Sequence, residues 1–310
     1  MNRIKFFLLL SVIVLFSCEE QNDSTYNYML TGIKSSKGNE LVTVNIDTGN
    51  VESTVPVEYY VVGSTFFDNV TGCYGYVNGD AYLKLVDPLS GVEKKSVKLP
   101  GFLSFAVTDE STHELLGLYT EQGKGGGAVC DTTPGPGGSS DTYILRINLS
   151  EGTIISEKKV VIDESLVASV YYYEKSGKKL VVLRGDMFLI KIDPVTGNTE
   201  TGAGIGKNLF NAVFNEKDNT LIGLVYSIPD NRNKLEVINA STGKTITSNM
   251  IENEDGFCLN VAGYDSETNA YFTVNGNNEV VFYSIASGEI LKRVKLDNPL
   301  NDMKFWRRNP

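Results

Sequence analysis

Histidine and tryptophan are nearly missing from this chain of 310 residues, which has one of each. A zinc site needs several histidine or cysteine ligands at short spacings, and the chain has no Cys-x-x-Cys pair. A serine hydrolase would have to use His113, which we expect in a solvent-exposed turn, and no Gly-x-Ser-x-Gly motif marks a nucleophile. These absences argue against zinc chemistry and against catalysis by histidine.

Basic residues are also scarce, with 28 against 38 acidic ones and a net charge of −10. Loss of Arg3 and Lys5 with a cleaved leader lowers the basic residues from 28 to 26 and makes the net charge −12. An acidic surface repels phosphate groups, so neither nucleic acid nor anionic lipid is an expected partner. We expect a monomer.

The N-terminus has the composition of a secretory signal. Arg3 and Lys5 precede an apolar run from Phe6 to Phe16 that is too short to span a bilayer. We therefore place a signal peptide at residues 1–17.

The end of this signal, Leu15-Phe16-Ser17-Cys18, resembles the lipobox of bacterial lipoproteins. The resemblance implies that Cys18 is lipidated and that its acyl chains anchor the protein through a polar tether over residues 18–26. The acidic pair Glu19-Glu20 resembles the export signal of Bacteroidetes-type surface lipoproteins. It implies an outer-membrane lipoprotein facing either the periplasm or the cell surface. The alternative is an ordinary cleaved signal followed by a chance cysteine.

Sustained helical periodicity is absent after residue 30, and runs of Val, Ile, Tyr and Phe broken by Gly, Asn and Asp predict strands instead. Six similar turns follow such runs: Asn45–Gly49, Asp87–Gly91, Asn148–Gly152, Asp193–Gly197, Asn239–Gly243 and Ser284–Gly288. Their glycines lie 42, 61, 45, 46 and 45 residues apart. A repeat of this length, with four strands in each unit, predicts a β-propeller.

The ends of the chain predict how the propeller closes. Three strands between residues 28 and 55 lack an inner partner, and an extra strand, Asn301–Trp306, stands at the C-terminus. Joining them completes a sixth blade and leaves no open sheet edge. We therefore predict one all-β domain over residues 27–310, a six-bladed propeller; seven blades would need another turn. The turns resemble those of YVTN and quinoprotein-like propeller repeats.

An insert over residues 121–141, rich in Gly, Pro, Ser and Thr, accounts for the one long interval. We expect it on the face that carries the connections between blades, where it is either functional or disordered. The cysteines after Cys18 are Cys73, Cys130 and Cys258. A Cys130–Cys258 disulfide would pin the insert across the channel, but an odd number of cysteines compels no bridge.

A small or polar residue opens the first strand of each repeat. These residues are Gly63, Ser104, Ser169, Asn211, Asn260 and Asn301. We expect them to ring the mouth of the central channel beside Asp302, where they could bind a polar ligand or a cation. The alternative is that they only fit a crowded, water-filled axis.

Two further sets of residues recur near the first strands. Acids lie five residues after most ring positions, and we expect them to cap turns: Asp68, Asp109, Glu174, Glu216 and Asp265. Aromatic pairs and triplets favour core packing over carbohydrate stacking: Tyr59-Tyr60, Phe66-Phe67 and Tyr171-Tyr172-Tyr173.

The shortage of catalytic residues favours a non-catalytic module that binds a protein or a glycan at the envelope, with no catalytic residue and no cofactor. The first alternative is a calcium-dependent hydrolase or lyase with its site at the channel mouth, because lactonase-type propellers place Glu, Asn and Asp around a central calcium. The second is a structural subunit of an envelope complex. Many functions share this architecture, so the repeat pattern does not choose among them.

Overall fold

The computed structural model describes residues 28–35, 38–120, 141–161 and 166–308, with side chains from residue 170 onward in the last range. The predicted signal peptide, Cys18, the tether, Cys130 and residues 121–140 of the insert lie outside these ranges. The described residues form strands and turns only. Among them, no helix has the length and apolar character needed to span a membrane.

Within the described ranges, twenty-four strands form six antiparallel sheets of four strands each. Blade 1 contains β1 (Tyr28–Ser35), β2 (Asn39–Asn45), β3 (Val51–Val57) and the last strand, β24 (Asn301–Arg307). Blade 2 contains β4 (Tyr60–Asp68), β5 (Cys73–Asn78), β6 (Tyr82–Val86) and β7 (Glu93–Lys98). Blade 3 contains β8 (Phe105–Asp109), β9 (Glu114–Thr120), β10 (Thr142–Asn148) and β11 (Thr153–Val160). Blade 4 contains β12 (Leu166–Glu174), β13 (Lys179–Arg184), β14 (Phe188–Ile192) and β15 (Thr199–Gly204). Blade 5 contains β16 (Leu209–Asn215), β17 (Thr220–Ser227), β18 (Arg232–Asn239) and β19 (Thr245–Met250). Blade 6 contains β20 (Phe257–Asp265), β21 (Ala270–Asn275), β22 (Glu279–Ser284) and β23 (Ile290–Lys295).

The predicted six-bladed propeller and its closure are confirmed. Strand β24 pairs with β1, with Tyr28 opposite Arg307 and Leu30 opposite Phe305. Trp306 is buried, and its indole Nε1 donates a hydrogen bond of 2.8 Å to the Thr31 hydroxyl. Because the last strand of the chain completes the first blade, the ring has no unpaired inner edge.

The repeated outer turns have two structural roles. In the turn after β6, the Asp87 carboxylate accepts hydrogen bonds from the amides of Leu89 and Ser90, which caps the turn. Gly243, in the turn after β18, has a φ of 68° and lies against the backbone of Gly204 in the preceding blade. A β-carbon there would overlap the Gly204 carbonyl oxygen. Glycine therefore both shapes the turn and lets it pack on the neighbouring blade.

The apolar core is divided among the spaces between blades. Among the described residues, six clusters fill the six interfaces between neighbouring blades. The cluster between blades 6 and 1, for example, joins Phe272 and Phe282 to Leu30 and Val44. Side chains on the two faces of each sheet are thus buried against different neighbours, which explains the nearly continuous burial of central strands such as β5.

The six inner strands run in the same direction around the channel: β4, β8, β12, β16, β20 and β24. We call the end at which they begin the connection end and the end at which they finish the turn end. Thr120 and Thr142, which flank the insert, pair with each other at the connection end. Tyr28 and Arg307 lie at the turn end.

Candidate ligand site in the central channel

A cavity of ≈ 410 Å³ occupies the channel, and inner strands of all six blades contribute to its wall. Its wall extends from Asn260 to the turn end, where the polar lining residues are exposed. These residues surround an opening there: Asn69, Glu110, Lys175 and Glu216. This opening lies opposite the end at which we predicted the binding ring and the insert.

Aromatic side chains form much of the wall of this cavity. Phe67, Tyr171, Tyr173, Phe214 and Phe305 all line it and are partly exposed. Neighbouring rings hold several of them in place. Phe67 stacks on Trp306 with ring centroids 4.8 Å apart, and Phe305 packs edge-on against Phe272 at the same centroid distance.

The aromatic residues singled out from the sequence divide into two groups. Tyr171 and Phe67 line the cavity and are partly exposed, whereas Tyr172, which also borders it, is buried and stacks on Phe214 with ring centroids 3.9 Å apart. Tyr59 is 75% exposed at the connection end and takes no part in the lining. Aromatic residues of the same strand therefore have different roles: some pack in the core, and others offer a ring face to the cavity.

Two lysines reach the cavity, and they differ in their partners. Lys175 lies at the opening, with its Nζ 3.2 Å from Glu216 and 3.7 Å from Glu110. Burial alone would lower the pKa of Lys175, but the hydrogen bond to Glu216 and the charges of both glutamates outweigh it and raise this pKa. Lys304 lies deeper, and its Nζ is 3.5 Å from the Tyr171 hydroxyl.

Three of the six predicted ring residues, and the neighbouring Asp302, share an unusual backbone conformation. Gly63, Asn211, Asn260 and Asp302 all have positive φ, at bulges where β4, β16, β20 and β24 lose register with their partners. Asp302 and not Asn301 therefore occupies the repeated position in blade 1. Asn301 pairs opposite Ile33 one residue earlier, with its side chain exposed.

Asn211 uses its side chain to join blades 5 and 6. Its amide nitrogen donates to the Cys258 carbonyl at 2.8 Å and to the Thr273 hydroxyl at 2.9 Å, and its amide oxygen accepts from the Asn260 amide at 2.8 Å. Asp302 makes the corresponding contact between blades 1 and 2, because its carboxylate accepts from the Gly63 amide at 3.0 Å. These two ring residues therefore hold neighbouring inner strands together.

Of the predicted ring, Asn260 alone lines the described cavity. Ser104 is exposed at the connection end, and the side chain of Ser169 lies outside the described residues. Binding at the predicted ring stays a prediction, with Asn260 as the member that reaches the cavity.

Polar groups around Asp302 lack partners. Its second carboxylate oxygen, the Tyr60 hydroxyl and the Thr65 hydroxyl are buried and have no hydrogen-bond partner among the described residues. Burial, followed by the charge of Asp302, raises the pKa of Tyr60 well above its usual range. Tyr74 donates a hydrogen bond of 2.6 Å to the Asp302 carbonyl from the same side.

The predicted capping role of the acids is confirmed at Asp68, Asp109 and Asp265, whose carboxylates accept hydrogen bonds from the turns that follow them. Glu174 departs from the pattern and forms an ion pair of 2.7 Å with Lys191. Glu216 lies at the cavity opening, paired with Lys175 as described above.

His113 is less exposed than we predicted. Its backbone lies in the turn after β8, but its side chain is only 14% exposed, because the ring packs against blade 2. Nε2 lies 2.9 Å from the Asp68 carboxylate and Nδ1 lies 2.6 Å from the Ser150 hydroxyl. None of the three residues lines the channel cavity, and their contacts join blades 2 and 3.

The remaining candidates concern cysteine and metal. Cys73 is buried and Cys258 is half-buried, and burial raises the pKa of both thiols. Cys130 lies outside the described residues, so the Cys130–Cys258 bridge stays a prediction. Within the described ranges, no group of three or more His, Cys, Asp or Glu side chains is arranged to hold a metal ion.

Sequence reasoning missed Lys304, although the repeat contains a signal for it. The residue two positions after each bulge is uncharged in blades 2, 4, 5 and 6, where it is Thr65, Tyr171, Val213 and Ala262. Lys304 holds this position in blade 1. The signal becomes visible once the repeat is aligned on Asp302 instead of Asn301.

No protein-family model matches this chain, and no curated protein matches it. Solved structures do. A protein of unknown function from Bacteroides caccae has a TM-score of 0.60 and 12% identity, covering 91% of this chain and 99% of its own. Hydrazine synthase from Kuenenia stuttgartiensis has a TM-score of 0.49 and 12% identity, covering 79% of this chain and 70% of its own. The dihydro-heme d1 dehydrogenase NirN has a TM-score of 0.48 and 13% identity, covering 89% of this chain, which spans 55% of the dehydrogenase. The first likeness shows a shared fold.

Proposed function

We propose that this protein is a lipid-anchored, extracytoplasmic binding module that takes the end of a glycan chain into its central channel. The observation that carries the proposal is the aromatic-walled cavity of ≈ 410 Å³ with its polar opening. The lipobox at Cys18 supports an anchor in the outer membrane, with the domain on the periplasmic or the outer side.

The wall of the cavity suits a sugar better than a purely apolar ligand. A sugar ring has an apolar face of C–H groups that packs on aromatic rings and a rim of hydroxyls that needs hydrogen-bonding partners. Tyr171 provides both a ring face and a hydroxyl, Tyr173 adds a ring whose hydroxyl bonds to Asp109, and Asn260 adds an amide. The cavity volume falls within the range of about 300–1,000 Å³ that is usual for small-ligand sites.

The test is a binding panel of neutral and acidic oligosaccharides, measured by calorimetry on the domain from residue 27 onward. Thr108 lines the cavity, and Thr108→Trp fills part of it. We expect this variant to weaken glycan binding at least tenfold. The control is Val161→Trp, which adds the same ring at an exposed position at the opposite end and should leave binding unchanged. Failure of every glycan to bind, or equal loss in both variants, would contradict the proposal.

A protein partner is a second candidate, supported by apolar side chains at the connection end. Ile228 is 82% exposed, Leu259 is 68% exposed, and Tyr59 is exposed at the same end. Affinity capture of the anchored protein from its native envelope, with and without residues 121–141, tests this candidate. A stoichiometric partner that is lost with the insert would favour protein binding. The same result is also expected if the protein is a structural subunit of a complex.

A calcium-dependent hydrolase or lyase is a third candidate, and the unpartnered Asp302 oxygen favours it. Calcium takes six to eight oxygen ligands, and Tyr60 and Thr65 provide two nearby hydroxyls. Calcium binding to the folded domain would raise the Tm, and Asp302→Asn would abolish the increase. The glycan-binding proposal expects the same Tm with calcium and with EDTA.

A further inference from the structure

Among the described residues that line the cavity, Lys304 is the one charged group away from the opening. The other charged residues of the described lining lie at the opening, where Lys175 pairs with both Glu110 and Glu216. Lys304 lies on the inner strand β24 and is partly buried. Its one polar contact among the described residues is the Tyr171 hydroxyl at 3.5 Å, and no described carboxylate lies within 4.0 Å of its Nζ.

Several other partly buried lysines among the described residues have carboxylate partners. Lys191 pairs with Glu174 at 2.7 Å, and Lys207 pairs with Glu236 at 2.6 Å. Lys304 has no such partner among the described residues, so its positive charge is available to a ligand that enters the cavity.

We propose that the ligand carries a single carboxylate, as in a uronic or sialic acid, and that this carboxylate binds to Lys304 Nζ and the Tyr171 hydroxyl. The inference rests on the proposed function and names its ligand class. The ammonium supplies the charge and the phenol supplies a second hydrogen-bond donor. The sugar ring then lies along the aromatic wall formed by Phe67, Tyr173 and Phe305.

The charges around the cavity favour one carboxylate over a phosphate or a polyanion. One ammonium balances one negative charge, and described residues of the lining provide no arginine fork for a phosphate. At the opening, Lys175 stands between two glutamates, which leaves an excess negative charge that repels a polyanionic chain. A chain end with an isolated carboxylate meets the least repulsion.

The test compares sugars that differ only in the acid group. The pairs are methyl glucuronide with methyl glucoside, and sialyllactose with lactose, measured by calorimetry at low and at physiological salt. We expect at least one acid to bind at least tenfold more tightly than its neutral counterpart, with a preference that declines as salt increases. Glucose 6-phosphate is the phosphate probe, and we expect it to bind more weakly than the glucuronide.

Two substitutions make the role of the ammonium measurable. Lys304→Met keeps the length of the side chain and removes the charge, so the acid should lose at least tenfold in affinity while the neutral sugar keeps its own. Lys304→Arg should retain part of the preference. Lys244→Met, at an exposed turn of blade 5, is the control for a change in net charge and should have no effect. A Tm of Lys304→Met at or above that of the unsubstituted protein shows that the fold is intact.

Several outcomes would overturn the inference. Equal affinity for acid and neutral sugars, unchanged acid binding in Lys304→Met, or tighter binding of glucose 6-phosphate would each do so and leave glycan binding standing. The absence of binding by either series, with the fold intact, would overturn the proposed function together with the inference.

Discussion

At the scale of single residues, the positive-φ positions differ in how much the fold depends on them. Asn211 and Asn260 have similar backbone conformations, with φ of 49° and 60°. Asn211 is buried and makes three hydrogen bonds to blade 6, whereas the Asn260 side chain is exposed and has no hydrogen bond within the described ranges. Backbone conformation alone therefore does not identify a binding residue.

Asn211→Ala should lower the free energy of unfolding by about 2–4 kcal/mol, because it leaves buried partners in blade 6 without hydrogen bonds. Asn260→Ala is the matched control and should cost about 1 kcal/mol, the strain of alanine in a left-handed conformation. Urea denaturation of both variants measures the difference. Equal losses would show that the side-chain hydrogen bonds of Asn211 do not contribute to the free energy of unfolding.

Asp193 provides a test of pH dependence at one outer turn. A hydrogen bond from Lys179 at 2.7 Å, with amides of the turn, lowers the pKa of Asp193 to about 2. Because the folded pKa lies below the unfolded one, the carboxylate stabilises the fold above its usual pKa and ceases to do so as the pH falls through about 2.

Asp193→Asn keeps an oxygen that can cap the turn, as Asn239 does in blade 5, and loses the ion pair. We expect a loss of less than about 1 kcal/mol at pH 7, since the pair is partly exposed. Urea denaturation between pH 7 and pH 2 should show this difference shrinking in the acid range. A difference that is constant with pH would assign the loss to the turn instead of the charge.

The sequence predicted residue roles well where the chemistry is local. The Asp68 and Asp109 caps depend on amides two residues away, so the pattern of the turn is enough to predict them. The ring register depends on bulges, which shift a strand by one residue without changing its composition. For this reason Asn301 was predicted in the place that Asp302 holds.

At the scale of elements, the turn glycines also determine how closely consecutive blades pack. All six outer-turn glycines have positive φ, and a β-carbon on any of them would press on the outer strand of the preceding blade: Gly49, Gly91, Gly152, Gly197, Gly243 and Gly288. The sequence motif predicted the turn. It did not reveal the contact, since the contacting atoms belong to another repeat.

Gly243→Ala should destabilise the protein by about 3 kcal/mol or more, because left-handed strain adds to overlap with the Gly204 carbonyl. Gly72→Ala is the matched control, with the same φ of 68° and open space around the position, and should cost about 1–2 kcal/mol. Thermal and urea unfolding measure both. If the two variants lose the same free energy of unfolding, the close contact between Gly243 and Gly204 does not contribute to the packing of blades 4 and 5.

At the scale of the whole molecule, two features of the sequence were enough to predict six blades and their closure. These are the spacing of the repeated turns, and the strand that is missing at the N-terminus and present at the C-terminus. The cavity could not be predicted in the same way. Its shape depends on the sizes of side chains, such as Ala262 and Tyr171, from six inner strands. These strands meet only when the ring is closed.

Removal of residues 301–310 should abolish the folded monomer. The truncation takes Met303 and Trp306 out of the core and exposes the edge of β1, which invites pairing between molecules. We expect aggregation by size-exclusion chromatography, and recovery of a monomer when a peptide of residues 299–310 is added. A peptide with Trp306→Ala should restore less, because it lacks about 3–5 kcal/mol of buried contacts. A truncated chain that stays monomeric and equally stable would contradict the role of the closing strand.

The adjacent ends of β1 and β24 have a consequence for the anchored protein. Tyr28 lies at the turn end, the same end at which the cavity opens. With the proposed lipid on Cys18, the ten residues from there to Tyr28 span at most about 35 Å when fully extended. In the anchored form that we propose, the opening would be held within about this distance of the bilayer, and a ligand would approach it from the side that faces the membrane. A slender chain end enters such a space more readily than a large folded protein, so we expect a shorter tether to favour chain ends over bulky ligands.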